Sequence, residues 1–310
     1  MIPRTLSAFN SITNNISLCL FVRSFAIRFI QSPNKIAHDT LISYLYKRGD
    51  IMCLLAFQLQ SHPKYQLVMM ANRDEAYARP TARANFWSDH PDILAGRDLE
   101  QMGTWLGINT QGKVAALTNY RDFTLPQTGK LSRGHIVSSY LQSSLSAQDF
   151  MEQLHTNRED YAGCNVLAGS AKEMFYYSNI EQSIRHLPNG THGLSNALLN
   201  TPWPKVDKTK ALLADYLQQT ETIDRDRLFG MMQRAEPFPI EQLPDTGVGE
   251  DLERLLSSIF IASKDYGTRC TTVLTIDRED RVEFEERTYK KGVFTATQKF
   301  SFRIEKPAHS

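Results

Sequence analysis

The feature that most restricts the fold is a change in apolar spacing along the chain. At both ends hydrophobic residues come in short runs cut by turn-formers, and in the middle they recur at helical intervals. Runs at 53–60 and 65–71 flank Ser61-His62-Pro63-Lys64, and runs at 105–109 and 113–119 flank Thr110-Gln111-Gly112. Connections this short join antiparallel neighbours, because a parallel pair needs a long crossover. Further strands are predicted at 165–168, 174–177, 271–276, 282–289 and 299–304. Helical spacing appears over 133–143, 147–154, 208–218 and 252–259, with Phe150, Met151 and Leu154 sharing one face. The stretch following the first hairpin reads as irregular and polar, and 188–200 as a glycine-containing loop. Strands at both ends with helices between them predict an α+β layered domain rather than a parallel βαβ sheet.

With 41% hydrophobic and 22% charged residues, a chain of 310 residues has enough apolar side chains for a large core. Its formal charge of +1 provides no global field for gripping nucleic acid or an anionic membrane. Cys19, Cys53, Cys164 and Cys270 are scattered with no CxxC or Cys/His cluster, so neither a disulfide framework nor a metal site is predicted.

The charge is uneven along the chain. Residues 1–51 hold six basic and two acidic residues, and the remainder 29 and 32. The apolar run 16–30 is interrupted by Arg23 and Arg28, which makes it a poor membrane span. Residues 1–51 are therefore expected to be an irregular leader, and 52–310 a single domain. The leader reads in two ways: as sequence translated upstream of a true start at Met52, or as a transit peptide. The first reading implies a cytoplasmic protein and the second a mitochondrial one.

Two features carry chemistry. Met52-Cys53 would leave Cys53 with a free α-amine once the methionine is removed, joining a nucleophilic thiol to a base whose pKa is about 7.7–8.0. On the residues alone, Met-Cys is a weak signal, and a cysteine there is more often a buried strand residue. The other feature is Asn72-Arg73-Asp74-Glu75, where the second apolar run ends. Four polar residues at a strand end predict a solvated turn, although a guanidinium beside a thiol lowers its pKa and a carboxylate can hold an α-ammonium.

Taken in order, these segments resemble the NRDE family, the transport and Golgi organization protein 2-like proteins. The likeness runs through Met52-Cys53, Ala71 to Glu75, Arg79-Pro80, Ala95 to Asp98, Gly103 to Gly107 and Leu117 to Arg121. It continues through Ser132 to Gly134, Gly193 to Asn196, Thr201 to Lys205 and Gly267 to Arg269. That family in turn resembles the cysteine branch of the N-terminal nucleophile hydrolases, the group of penicillin V acylase and bile-salt hydrolase. The resemblance implies a four-layer αββα sandwich of two antiparallel sheets. It implies a site of Cys53, Arg73, Asp74, Asn119, Asn196 and Arg269 converging on the sulfur at the edge of the central sheet, with Glu75 the alternative carboxylate.

The activity so implied is hydrolysis of an amide or thioester acyl bond, requiring no cofactor. Family members are also connected with Golgi organisation, acyl-lipid homeostasis and haem trafficking. The alternative is a non-catalytic carrier of haem or an acyl lipid on the same fold. The expected partner is a small acyl, amide or haem ligand, with no nucleic acid and no integral membrane contact.

Overall fold

The apolar runs pair as their spacing predicts. In the computed structural model, which describes residues 52–122 and 130–305, β1 (Met52–Leu59) and β2 (Tyr65–Ala76) form the first antiparallel hairpin. The leader expectation falls on residues outside this range. β3 (Thr81–Phe86), β4 (Ile93–Asp98), β5 (Leu106–Asn109) and β6 (Val114–Asn119) follow, then helices α1 (Gly134–Gln142) and α2 (Ala147–Thr156). After β7 (Cys164–Gly169), β8 (Met174–Ser178), β9 (Ser183–His186) and β10 (Gly190–Leu194) come α3 (Pro204–Gln219), α4 (Arg225–Met232) and α5 (Glu250–Ser257). The tail is a meander of β11 (Tyr266–Asp277), β12 (Arg281–Lys290) and β13 (Val293–Arg303).

These strands make two antiparallel sheets flanked by helices. One has the order β10-β1-β2-β11-β12-β13, the other β3-β4-β5-β6-β7-β8-β9. Strand periodicity sorts the side chains into three cores. Cys53, Leu55, Phe57, Met69 and Ala71 pack with Leu94, Leu106 and Leu167 of the other sheet. Leu54, Ala56, Val68 and Met70 point the opposite way, onto Val206 and Leu213 of α3 and Phe229 and Met232 of α4. Ile136, Tyr140, Phe150, Met151 and Leu154 of α1 and α2 cover the far face of the seven-stranded sheet. β1 is therefore buried along its whole length and apolar on both faces, a pattern usual for strands covered on both sides. Met69, Met70, Tyr176 and Tyr177 lie in these cores.

The structure departs from the sequence expectation in several places, the unexpected strand β9 among them. Residues 72–75 are not a solvated turn. β2 continues through them because its backbone pairs with β1 on one side and β11 on the other, so the ladder satisfies the main chain. The supposedly irregular stretch contains β3 and β4, whose alternation is weak because β3 lies at a sheet edge. The supposed loop 188–200 contains β10, which carries two glycines but completes the first sheet by pairing with β1. Helix α4 also went unread, since only Leu228, Phe229 and Met232 of its eight residues are buried.

Gly193 allows α3 to lie close to β10, since a Cβ there would sit 2.8 Å from Val206 Cγ1. Leu213, on the same helix, is fully buried against the first sheet. Leu213→Ala is expected to cost about 2–5 kcal/mol in urea unfolding. A loss well below that range would mean that α3 is not anchored through this core.

Candidate active site at Cys53

The site is built where β1 runs past the end of β10. β10 pairs with Leu55 to Leu59 only, leaving Met52 to Leu54 bordered by β2 and by the segment that follows β10. Cys53 thus sits at the end of an interior strand and not, as expected, at the edge of the sheet. Arg73 is its cross-strand partner, and Arg73 also pairs with Cys270 on β11. Ser195, the residue after β10, donates its hydroxyl to the Cys53 carbonyl at 2.8 Å.

The thiol is 1% exposed. Burial pushes its pKa well above the ordinary range and the Asp74 charge adds to this; the Arg73 guanidinium and the Asp74 backbone N–H oppose them. The Cys53 nitrogen belongs to the Met52–Cys53 peptide bond. The Met52 N–H donates to Tyr266 Oη at 2.9 Å, and that hydroxyl donates to the Asp74 carbonyl at 3.0 Å.

The two carboxylates behave differently. Glu75 Oε1 accepts from the Ala76 N–H at 2.8 Å, and its Oε2 lies 3.6 Å from Arg73 and 3.7 Å from Arg79. Burial raises its pKa, with Arg73 pulling the other way. Asp74 Oδ1 accepts from Thr268 Oγ1 at 2.6 Å, while its buried Oδ2 has no hydrogen-bond partner. Asp74 is pushed up to about 7, chiefly by burial and further by Glu75, against the pull of Lys205 and Thr268. Alternation along β2 places Arg73 and Glu75 towards the space between the sheets and Asp74 towards the helices. Asn72, on the helix side, donates to the carbonyls of Met232 and Ile259 and accepts from Thr271 Oγ1, pinning the α4 and α5 ends to the sheet.

The Asn196 side chain is bonded to the main chain of Asn119. Asn196 Nδ2 donates to the Asn119 carbonyl at 2.9 Å, and the Asn196 carbonyl accepts from the Arg121 N–H at 2.7 Å. Asn196 reaches Cys53 through its neighbour Ser195, whose Oγ is 3.2 Å from Asn196 Oδ1. Arg269 is the extra residue of a β-bulge, at the register shift between Thr268 and Cys270. Its Nη1 donates to the carbonyls of Ala76 at 2.8 Å and Arg79 at 2.9 Å, tying down the turn after β2. Burial lowers its pKa and the Arg73 charge lowers it further.

One charged neighbour was not singled out from sequence. Lys205, the second residue of α3, is buried with its Nζ donating to the Leu256 carbonyl at 2.8 Å, and burial pushes its pKa down to about 8 with Arg121 adding to the fall. Its signal was available: a lysine in the first turn of a helix opposes the macrodipole, so its presence there asks for a reason. Lys205 also lines a small pocket with Arg121, Trp203, Glu253 and Leu256. Arg121 pairs with Glu253 at 2.8 Å and stacks 4.7 Å above the Trp203 ring. Among the described residues, no group of three or more His, Cys, Asp or Glu side chains is arranged to hold a metal ion, and no helix is long and apolar enough to cross a membrane.

Two helix-flanked antiparallel sheets and a water-excluded cluster of cysteine, arginine, carboxylates and lysine define an α+β protein with its charged groups gathered at one end of a sheet. The chain belongs to the Transport and Golgi organisation 2 family, which it matches over residues 52–291. It is 36% identical over 256 residues to the Transport and Golgi organization protein 2 homolog of Bos taurus, covering 76% of this chain and 92% of that protein. The Homo sapiens homolog is 34% identical over the same shares. Among solved structures, a mutant conjugated bile acid hydrolase from Clostridium perfringens superposes with a TM-score of 0.44 at 10% identity, over 82% of this chain and 92% of that one.

The Asp74 environment has a pH consequence. Its folded-state pKa is raised from 3.8 to about 7. The stability it contributes is therefore full below the ordinary carboxylate pKa and is lost as pH rises towards 7. Asp74→Asn should remove that loss, so the urea midpoint of the variant relative to wild type should climb between pH 4 and pH 7. A parallel pair of pH profiles would show that Asp74 is not strained in the fold.

Proposed function

We propose that the protein is an N-terminal cysteine nucleophile hydrolase acting on an amide or thioester acyl bond, within a fold of the αββα N-terminal nucleophile type. The observation that carries this reading is the opposition of Met52-Cys53 to Arg73-Asp74 across one ladder, with an unpartnered Asp74 oxygen buried there. Cleavage of the Met52–Cys53 bond would create an α-amine on the residue that bears the thiol. Asp74 is better suited than Glu75 to hold that amine because it is the ladder partner of Met52, whereas Glu75 Oε2, which also lacks a hydrogen bond, lies 3.6 Å from Arg73 and 3.7 Å from Arg79.

The chemistry then runs as follows. The α-amine accepts the thiol proton as sulfur bonds to the carbonyl carbon, and hydrogen-bond donors stabilise the oxyanion. Collapse breaks the bond to the amine or thiol leaving group, which takes the proton, and water then hydrolyses the thioester to release the acid. Arg73 supplies positive charge next to the sulfur. Arg269 holds the turn after β2 and lends charge to the same region. Asn196 Nδ2 would need to exchange its hydrogen bond to the Asn119 carbonyl for one to the oxyanion, and Asn119 Nδ2 is the other candidate donor.

A second reading, a non-catalytic carrier of an acyl lipid or haem, is favoured by one observation, the near-complete burial of the thiol with Met52 attached. For haem, His62 and His192 offer little. Both ring nitrogens of His62 and of His192 are already hydrogen-bonded within the fold.

Intact mass of the native protein separates the two readings. The hydrolase should begin at Cys53 and gain the mass of an acyl group from acyl-amide or acyl-thioester probes. Its hydrolysis rate should fall by more than about 10⁴-fold in Cys53→Ala. A native chain that retains Met52, or a Cys53→Ala variant that hydrolyses normally, would sink the hydrolase reading.

A further inference from the structure

Two of the segments that carry the family likeness have no task in the hydrolase reading beyond Asn119. Leu117 to Arg121 ends on Arg121, and Thr201 to Lys205 ends on Lys205. The fold brings their last residues to one pocket. Arg121 follows β6, and its N–H bonds the Asn196 carbonyl at 2.7 Å. Lys205 opens α3, whose start is held against β10 by the close approach of Val206 to Gly193. Helix α5 adds Glu253 and Leu256 to the wall, and the chain between α4 and α5 adds Leu243 and Pro244. Charged and apolar side chains therefore line the same small space.

The charges in this pocket do not balance. Arg121, Lys205 and Glu253 are all buried, so each needs a partner within the fold. The Arg121 guanidinium meets Glu253 Oε2 at 2.8 Å, and Glu253 Oε1 accepts from the Thr246 N–H at 2.8 Å and from the Thr246 hydroxyl. Both oxygens of that carboxylate are engaged. Lys205 Nζ donates at 2.8 Å to the carbonyl of Leu256, in the last turn of α5. Among the described residues this carbonyl is its one hydrogen-bond acceptor, and no carboxylate forms an ion pair with it. Asp74 acts on it from beyond ion-pair range. An ammonium has three donors, and a residue 2% exposed cannot turn them to bulk water. Two cations of the pocket thus share one carboxylate.

We propose that this pocket is a binding site for a carboxylate that bears a short apolar substituent. A second carboxylate supplies the missing negative charge, and its oxygens accept from the remaining Lys205 N–H groups. It fits better than water because it brings charge as well as acceptors, and better than a phosphate because the excess is a single positive charge in a small space. The apolar substituent lies against Leu243 and Pro244. A short bonded path joins the pocket to the thiol residue: Ser195 bonds the Cys53 carbonyl, and Asn196, the next residue, bonds Arg121. The site does not include Cys53 and needs no acyl transfer, so it stands apart from the hydrolase reading.

The test uses the full-length chain and two probes, butyrate and its neutral isostere butyramide, in calorimetric titrations of wild type, Lys205→Met and Leu243→Trp. Lys205→Met keeps the length of the side chain and removes the buried charge. Leu243→Trp fills the pocket from a half-buried position and leaves every charge in place. Wild type should bind butyrate saturably and butyramide about 10-fold more weakly, the scale of a hydrogen bond to a charged group. Lys205→Met should lose about 10-fold in butyrate affinity and most of the preference for butyrate over butyramide. Leu243→Trp should weaken both probes. Butyrate should also raise the urea midpoint of wild type and leave that of Lys205→Met unmoved.

A wild-type chain that takes up no butyrate, or that binds the two probes equally, overturns the proposal and leaves water as the partner of Lys205. Unchanged butyrate affinity in Lys205→Met overturns it as well. Should that variant fail to fold, Leu243→Trp decides, because undiminished binding there puts the probe outside the pocket. The outcome is separable from that of the hydrolase reading. A native chain that retains Met52 but binds butyrate at this pocket removes the hydrolase and keeps the site. Acyl hydrolysis without butyrate binding does the reverse.

Discussion

Arg73, Asp74, Glu75 and Lys205 are held out of water at one end of the six-stranded sheet, and the rest of the site follows from what makes that tolerable. Dehydrating an ion costs several kcal/mol even after relaxation, so a buried cluster survives only if its members compensate one another. Here the compensation is divided by strand alternation. Arg73 and Glu75 meet on the side facing the second sheet, with Arg79 and Arg269 close by. Asp74 lies on the side facing the helices, where Thr268 Oγ1 donates to its Oδ1. β2 therefore separates a guanidinium system next to the thiol from a carboxylate opposite the Met52–Cys53 bond.

The central position of β2 makes this division possible. With β1 on one side and β11 on the other, its backbone groups are satisfied without water, so its side chains can be charged without exposing the main chain. Asn72 adds to the rigidity by bonding the ends of two helices and a neighbouring strand at once. The bulge at Arg269 then bends the end of β11 so that one guanidinium nitrogen reaches two carbonyls of the turn that follows β2. Removing any of these attachments would free the backbone that aligns Arg73 with Cys53.

The antiparallel strand pairs were legible because apolar alternation and short turns are local signals. Both hairpins, the helix pair at 134–156 and the closing meander could be read from them. What spacing could not convey was the fate of polar residues whose partners are remote in sequence. Residues 72–75 look like a turn because their burial depends on Thr268 and Lys205, more than a hundred positions away. β10 was hidden for the same reason, since its glycines are poor strand formers and only its pairing with β1 and the packing of α3 hold it extended. Cys53, Arg73 and Asp74 come together through the register of β1 against β2, which local spacing does not encode. The bonding of Asn196 to Asn119, and the attachment of Arg269 to the turn, are tertiary facts with no local signature.

The state of the sulfur depends on a single peptide bond. While Met52 is attached, Met52 and Cys53 are both sealed in the sheet, the nitrogen of Cys53 is an uncharged amide, and burial holds the thiol protonated. Scission between them would act on the thiol in two ways with the same sign. A new amine opposite Asp74 brings a proton acceptor, and positive charge when protonated, within reach of the sulfur. Loss of the Met52 side chain removes the buried group that caps the end of β1 and admits water, which lowers the dehydration penalty. Acidity and access would then change together, so the thiol would be inert in the longer chain and reactive only in the shorter one, without any rearrangement of β2. Arg73 is already the ladder partner of Cys53, so the passage from one state to the other asks in addition only that Asn196 Nδ2 give up the Asn119 carbonyl to reach an oxyanion.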